Sequence, residues 1–147
     1  MSMVDVSAKL EVYREAKAKG AIKLKAETIR LIREGKIAKG DPFQVAKVAG
    51  ILAAENTSSL IPLCHPLPLT GIEVELHLVD DSMVEVETTV KTRAQTGVEM
   101  EALAAAAAAL LTVWDMTKQY EKDKNGQYPY TNIRDLHVVS KMKERRV

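Results

Sequence analysis

Several residue types are scarce in this sequence of 147 residues, and each shortage excludes a class of protein. A single cysteine excludes an internal disulfide framework. With one Phe, one Trp and four Tyr, the chain also offers few rings on which single-stranded nucleic acid could stack. No run of about 18 uncharged apolar residues is present and no secretory segment follows Met1, so we expect no membrane span and a cytoplasmic location.

Neither sign of charge dominates, since 21 Lys and Arg residues oppose 20 Asp and Glu residues. Proteins that grip duplex nucleic acid usually carry a strong positive excess, so this balance disfavours that class. Because 46% of the residues are hydrophobic and the chain is long enough to bury one core, we expect a single domain over residues 1–147.

Hydropathy patterns predict the first half of the fold. Lysines alternate with apolar residues over residues 17–25, which predicts a half-buried strand. A short helix should begin near Thr28 and end at Gly35. The segment Asp-Pro-Phe-Gln at 41–44 predicts a capping box that opens a second helix, running to about Ala54. The expected buried face of that helix consists of Val45, Val48, Ala49 and Leu52.

The middle of the chain predicts a stiff loop and a hairpin. Three prolines within residues 61–69 exclude an interior strand, whereas apolar residues alternate with Glu and His over much of residues 72–90. A three-residue loop at 80–82 keeps the apolar side chains of both strands on one face, and a two-residue loop does not. This register sets Glu75 against Glu87, and lysines of the first strand would offset the repulsion.

Two further elements complete an α+β fold. Thr96, with Glu99 three residues on, predicts a second capping box and a long alanine-rich helix to about Lys122. Residues 133–139 are expected to form a final strand. The resulting order fits a ferredoxin-like fold, in which one antiparallel sheet carries helices packed on one face.

Few of the polar residues have only one explanation. Asp115 and Lys118 lie one helical turn apart, and such pairs are most often surface ion pairs worth about 0.2–0.5 kcal/mol. The functional alternative is a lysine acid or base held by the carboxylate. Lys39 precedes a helix N-terminus that suits an anion such as phosphate, but capping by Asp41, which repels anions, is the competing explanation.

Cys64 and His65 suggest a metal site, but one cysteine and three histidines do not supply a closed zinc site, and we expect no metal. His65 is instead expected to line a cleft, unless its loop only packs leucines over the core. Glu99 is accounted for by the capping box, whereas Glu101 has no such explanation.

The spacing of two carboxylates along the long helix raises the question of a shared site. Glu101 and Asp115 are 14 residues apart, which corresponds to about 21 Å along an α-helix. One small substrate cannot touch both within one chain, so if both ends act, another subunit completes the site. The basic tail at 141–147 is expected to be a solvated terminus, with a phosphate-gripping flap as the alternative.

Four segments carry a family resemblance. They are Met-Val-Asp-Val-Ser-Ala-Lys from residue 3, Leu-Ile-Pro-Leu-Cys-His-Pro-Leu from 60, Thr-Gly-Val-Glu-Met-Glu-Ala-Leu from 96, and Trp-Asp-Met-Thr-Lys from 114. In these strings and their order, residues 3–123 closely resemble the molybdenum-cofactor biosynthesis protein C family, the cyclic pyranopterin monophosphate synthases.

The resemblance implies a phosphorus–oxygen lyase that converts 3′,8-cyclo-7,8-dihydro-GTP into cyclic pyranopterin monophosphate and releases pyrophosphate. It implies a homohexamer, a trimer of dimers with sites at subunit interfaces, and neither a metal nor an organic cofactor. The expected partner is thus a small nucleotide, with no nucleic acid and no membrane.

By the same resemblance, Asp115, Lys118 and Lys39 are expected to be catalytic. The substrate-binding positions that it implies are Leu63, Cys64, His65, Met100 and Glu101, together with Arg14 and Asp5. Residues 139–147 depart from the family, because they lack the glycines of its flexible C-terminal stretch.

Two other interpretations remain open. One is a non-catalytic oligomeric module that binds a nucleotide or pterin on the same scaffold, because fold alone does not establish activity. The other is RNA binding through the lysine strand and basic tail, which predicts steeply salt-dependent affinity.

Overall fold

The computed structural model describes residues 1–144 and contains four helices and four strands there. In chain order these are β1 (Val12–Lys23), α1 (Ala26–Arg33), α2 (Pro42–Glu55), α3 (Thr57–Leu60), β2 (Leu69–Leu78), β3 (Met83–Ala94), α4 (Glu99–Glu121) and β4 (Asn132–Lys143). The strands form one antiparallel sheet in the order β2-β3-β1-β4. The predicted α+β, ferredoxin-like arrangement is therefore confirmed.

The β2–β3 hairpin has the register that the alternation of apolar residues predicts. Val79 N–H donates to the Met83 carbonyl at 3.0 Å across the three-residue loop, and Glu75 faces Glu87. Lys19 on β1 lies next to Glu87, with its Nζ 3.5 Å from Glu87 Oε2 and 3.8 Å from Glu85 Oε1. The expected lysine strand thus offsets the repulsion between the two glutamates.

The predicted C-terminal end of α1 and the predicted start of α2 are also confirmed, whereas α1 begins at Ala26, two residues before the predicted start. Gly35 has a φ of 68°, and its N–H donates to the Ile32 carbonyl while the next N–H closes on Leu31, which is a Schellman ending. The Asp41 carboxylate accepts from the N–H of Phe43 at 2.9 Å, so Asp41 caps α2 as expected.

The predicted buried face of α2 is wrong. Val45, Val48 and Leu52 are 46%, 57% and 54% exposed, and Ala49 is half-buried. The helix instead packs inward through its small residues, which are Ala46, Gly50, Ala53 and Ala54. A Cβ on Gly50 would lie 2.9 Å from Val74 Cγ2 and 3.1 Å from the carbonyl oxygen of Ala105, so the close approach of α2 to α4 and β2 requires glycine.

Helix α4 packs its alanines against the sheet. Its inward residues, which include Ala102, Ala105, Ala106, Ala109, Leu110 and Val113, are fully buried against Ile22, Val84, Val86 and Val90 of the strands. Within residues 1–144, α4 is the one helix long and apolar enough to cross a membrane. A helix in the core of a globular protein meets the same criterion, and half of the apolar stretch is buried.

The capping box predicted at Thr96 does not form. Helix α4 begins at Glu99, its N-cap is Val98, and no side chain caps it. Val98, which is fully buried, takes the N-cap position, so Glu99 is the first helical residue and not the third residue after the cap that a capping box requires.

Strands β1 and β4 are displaced or longer relative to the sequence prediction. Strand β1 begins five residues before the predicted start and ends two residues before the predicted end, and β4 continues to Lys143. The basic residues Lys141 and Lys143 therefore belong to a strand, paired with Ala16 and Arg14 of β1. The remainder of the predicted tail, residues 145–147, lies outside the described residues.

A buried carboxylate joins three parts of the fold at the end of α4. Glu121 is fully buried, and its oxygens accept hydrogen bonds from the Lys25 N–H at 3.1 Å, from the Thr131 hydroxyl at 2.6 Å, and from the Thr28 hydroxyl. The start of α1 and the approach to β4 are thus fixed to the C-terminal end of α4, close to Asp115 and Lys118 in sequence.

Candidate active site

The structure brings Lys39, Asp115 and Lys118 together, and we call these three residues the lysine–aspartate cluster. Asp115 Oδ1 lies 3.0 Å from Lys118 Nζ, and its Oδ2 lies 3.1 Å from Lys39 Nζ. Lys39 Nζ also donates to the Asp115 carbonyl oxygen at 3.2 Å. One carboxylate therefore holds two ammonium groups, each on a different oxygen.

The cluster is exposed, and its charges set its protonation. Hydrogen bonds from Lys118 and then from Lys39, together with their positive charges, lower the pKa of Asp115. The hydrogen bond to Asp115 and its charge raise the pKa of Lys118. Both lysine and carboxylate are thus held in their charged forms near neutral pH, and Lys118 is a proton donor rather than a base in this arrangement.

Aromatic side chains that the sequence analysis overlooked surround the cluster. Trp114 and Tyr128 meet edge to face, with ring centroids 5.2 Å apart at 62°. The Tyr120 hydroxyl accepts a hydrogen bond from the Ala38 N–H at 2.8 Å, next to Lys39. Tyr120 and Tyr128 carried no pattern of their own in the sequence, since only the fold places them beside Lys39 and Trp114.

A cavity of about 250 Å³ lies at the other end of α4, and we call it the His65 cavity. It is lined by Leu63, Cys64 and His65 from the proline-rich loop and by Met100 and Glu101 from the first turn of α4. Leu63 has a φ of 66°, an uncommon conformation for a residue with a side chain. The resemblance implies five substrate-binding positions in these two segments, and all five line this cavity.

Burial raises the pKa of two groups that line this cavity, a carboxyl group and a thiol. Glu101 is 3% exposed, and desolvation, with a contribution from the charge of Glu99, raises its pKa. Desolvation, followed by the negative charge of Glu101, also raises the pKa of the Cys64 thiol. The cavity therefore favours a neutral thiol and a carboxyl group that gains its proton more readily than an exposed glutamate does.

A second cavity, of about 430 Å³, adjoins the first and collects positive charge. We call it the basic cavity, and its charged lining residues are Lys9, Arg14, Glu99, Lys141 and Lys143. The Arg14 guanidinium is oriented by the carbonyl oxygens of Ala94, at 3.0 Å from Nε, and of Gln95, at 3.3 Å from Nη2.

Sequence reasoning missed several of these lining residues. Glu99 was assigned to a capping box that does not form, yet it lines both cavities. Lys9 stands at the end of the first family-like segment, and that position was the available signal. Lys141 and Lys143 belong to the basic tail for which a phosphate-gripping flap was the alternative interpretation, but their position in the basic cavity follows only from the pairing of β4 with β1.

Asp5 lies in the segment before β1 and is exposed. Its Oδ1 accepts from the Ser7 N–H at 2.8 Å. That hydrogen bond is the main cause of a lowered pKa for Asp5, and the charge of His65 contributes to it. Asp5 is therefore close enough to the His65 cavity to interact with it electrostatically.

Within one chain, the lysine–aspartate cluster and the His65 cavity remain apart. Asp115 stands near the C-terminal end of α4 and Glu101 in its first turn, and the helix is unbroken between them. A spacing of about 21 Å follows from the rise of an α-helix. No group of three or more His, Cys, Asp or Glu in residues 1–144 is arranged to hold a metal ion.

The fold and the two groups of side chains define a class of protein. It is a ferredoxin-like α+β chain with paired lysines on an aspartate at one end of a helix and a basic cavity at the other. The sequence profile of the MoaC family matches residues 3–144, and this chain belongs to that family.

Curated relatives agree with this assignment. A probable cyclic pyranopterin monophosphate synthase of Pyrococcus furiosus is 54% identical over 99% of this chain and 93% of its own length. Those of Saccharolobus solfataricus and Sulfolobus acidocaldarius are 52% and 55% identical over 97% and 96% of this chain, and 95% and 98% of their own lengths. The family expected from the four sequence segments is confirmed.

Proposed function

We propose that this chain is a cyclic pyranopterin monophosphate synthase of molybdenum cofactor biosynthesis. It would convert 3′,8-cyclo-7,8-dihydro-GTP into cyclic pyranopterin monophosphate and release pyrophosphate. The identity of 52–55% to relatives of that name supports the activity. The single observation that carries the proposal is the Asp115 carboxylate held between Lys39 and Lys118, because phosphoryl chemistry needs cations and proton donors in fixed positions.

The residue roles follow from charge and position. In forming the cyclic phosphate, a hydroxyl oxygen bonds to the α-phosphorus and its proton passes to solvent. The bond from phosphorus to the bridging oxygen breaks, and pyrophosphate leaves with the electron pair of that bond. Lys39 stabilises the charge that develops on the phosphate oxygens, and Lys118, kept protonated by Asp115, donates a proton during ring rearrangement. Asp115 fixes both ammonium groups between turnovers.

The other end of α4 supplies recognition. Arg14, Lys9 and the lysines of β4 provide positive charge for a triphosphate in the basic cavity. Leu63, Cys64, His65, Met100, Glu101 and Asp5 are the proposed contacts for the purine-derived part of the substrate. Glu101, whose burial favours its protonated form, is suited to donate a hydrogen bond there.

The complete site requires a second copy of the chain. The lysine–aspartate cluster and the His65 cavity are about 21 Å apart along α4. The reacting atoms of one nucleotide cannot contact both within a single chain. The exposed face of α2, formed by Val45, Val48, Ile51 and Leu52, offers an apolar surface for a partner subunit. This supports the homohexamer, a trimer of dimers, that the family resemblance implies. With it we propose a single catalytic domain over residues 1–147 and a cytoplasmic location.

The test is direct turnover by the purified protein. The protein is incubated with 3′,8-cyclo-7,8-dihydro-GTP, and the pterin product and pyrophosphate are followed together. Lys39→Ala and Lys118→Ala should each lower turnover by about 100-fold or more, which is the range of a lost acid or electrostatic group. Lys36→Ala is the matched control, since Lys36 lies three residues before Lys39 and pairs with Glu34 at 3.5 Å instead.

Two results would contradict the proposal. Nucleotide binding without any product would favour the non-catalytic binding module. Turnover close to that of the parent protein in both Lys39→Ala and Lys118→Ala would remove the lysine–aspartate cluster from the chemistry.

A further inference from the structure

The loop that carries Lys39 is attached to α4 by more than its ammonium group. Lys39 Nζ donates to Asp115 Oδ2 at 3.1 Å and to the Asp115 carbonyl oxygen at 3.2 Å. One residue earlier, the backbone N–H of Ala38 donates to Tyr120 Oη at 2.8 Å. The hydroxyl of Tyr120 therefore links the backbone of this loop to α4.

Three other amides of the loop find partners locally. Those of Gly35 and Lys36 close the end of α1, and that of Gly40 closes a turn on the Ile37 carbonyl at 3.1 Å. The amide of Ala38 crosses to α4 instead. The position of the backbone next to Lys39 thus depends on a side chain of the helix that also carries Asp115.

Helical geometry shows from which side Lys39 approaches. Successive residues of an α-helix are about 100° apart, so Met116 and Tyr120 lie on one flank of Asp115 and Lys118 on the other. A Cβ on Gly40 would be 4.0 Å from Met116 Cε, which places the loop over that same flank. Lys39 therefore reaches Asp115 from the Tyr120 side, and the two ammonium groups stay on opposite sides of the carboxylate.

We infer that Tyr120 is a positioning residue for Lys39: its hydroxyl fixes the Ala38 amide so that the Lys39 ammonium remains on Asp115, opposite Lys118. A lysine side chain has four flexible carbons, so its ammonium stays in one place only when its backbone is also fixed. The consequence for turnover rests on the proposed function, whereas the consequence for Lys39 itself does not.

The substitution Tyr120→Phe removes only the hydroxyl group and so tests its contribution alone. The ring is retained, and the Ala38 amide is exposed, so water can replace the lost partner and the fold should persist. Tyr130→Phe is the matched control. The Tyr130 ring lies 4.2 Å beneath the Lys23 ammonium, and phenylalanine preserves that contact.

The first measurement needs no substrate. Lysines are labelled with a limiting amount of an amine-acylating reagent, and labelling at Lys39 is quantified by mass spectrometry relative to Lys91 on β3. Release of Lys39 from Asp115 should raise its labelling rate at least threefold in Tyr120→Phe and leave it unchanged in Tyr130→Phe. Equal labelling of Lys39 in the parent and in Tyr120→Phe would overturn the inference.

The second measurement separates positioning from general stability. Because Lys39 acts on charge that develops during reaction, Tyr120→Phe should lower kcat about threefold to tenfold and change KM by less than twofold. Adding Tyr120→Phe to Lys39→Ala should cause no further loss. An equal further loss in the Lys39→Ala background would show that Tyr120 acts on something else and would overturn the inference.

A parent protein without turnover would refute the proposed function, and the labelling result would still decide the role of Tyr120.

Discussion

Asp115 uses a different oxygen for each of its two lysines. Without the carboxylate, the ammonium groups of Lys39 and Lys118 would repel each other, because nothing between them would carry negative charge. In isolation such an exposed pair adds little to stability. The value of Asp115 therefore lies in the placement of charge rather than in the stability of the fold.

Asp115→Asn tests this view. The amide keeps the shape but loses the charge, so we expect turnover to fall by about 100-fold or more, with a melting temperature close to that of the parent. Asp81→Asn is a suitable control, since Asp81 forms an exposed pair with Arg33 at 3.6 Å. A large fall in melting temperature for Asp115→Asn, with turnover unchanged, would contradict the assignment.

The burial of Glu101 leads to a prediction about stability and pH. Its pKa is raised in the folded chain, so the folded state holds the proton more tightly than the unfolded state does. Stability is then lost as pH rises from the ordinary glutamate pKa through the raised one. Glu101→Gln, which cannot ionise, should be more stable than the parent at pH 7, and the difference should close below about pH 4. Denaturant unfolding at several pH values measures this, and a less stable Gln variant at pH 7 would contradict it.

At the scale of elements, the buried face could be predicted where one side of an element is apolar and the other polar. It could not be predicted where both sides are apolar. The β2–β3 register follows from alternation, because slipping by one residue would turn every apolar side chain outward. Helix α2 has aliphatic residues on one side and small residues on another, and sequence pattern favours the larger ones as core. The structure buries the small ones, because α4 and β2 approach too closely for anything larger.

Gly50→Ala tests that close approach. Overpacking typically costs about 1–3 kcal/mol, and the gain in helix propensity is about 1 kcal/mol, so we expect a net loss of stability near 1 kcal/mol. Because the nearest obstacle is Val74 Cγ2, adding Val74→Ala should cost less in the Gly50→Ala chain than in the parent. Thermal unfolding at one protein concentration measures both. A Gly50→Ala chain more stable than the parent would show that the helices can separate freely.

The sequence motifs named many residues of the candidate site but not their arrangement. The motifs contained Asp115, Lys118 and His65, and a count of residues along α4 separated Asp115 from Glu101. The pairing of Lys39 with Asp115 joins positions 76 residues apart and depends on how the loop before α2 lies on α4. The basic cavity depends on the register of β4, whose pairing with β1 shifts at two places. Such long-range juxtapositions leave no periodic signal in a sequence.

For the whole molecule, shared sites predict that two inactive variants restore each other. His65→Ala and Asp115→Asn damage opposite ends of α4, so a dimer containing one of each has one intact site and one doubly damaged site. Random pairing in equal amounts should then return about a quarter of the parent activity. Co-purification through two different tags verifies that mixed oligomers form, and a turnover assay on the unfractionated co-expressed protein measures the recovery.

The matched control combines variants of the same cluster. Asp115→Asn with Lys118→Ala leaves every shared site damaged and should not recover. No recovery by His65→Ala with Asp115→Asn, in a verified mixed oligomer, would contradict the composite site.

The outward aliphatic face of α2 also has a consequence for how the protein matures. If the chain assembles as proposed, a newly made subunit that has folded but not yet met its partner exposes Val45, Val48, Ile51 and Leu52 along one helix. Such a surface adheres to other unfinished chains, so assembly competes with aggregation from the moment of synthesis. In the proposed oligomer, refolding yield should therefore depend on the competition between specific pairing and nonspecific adhesion, because the same exposed face of α2 would take part in both.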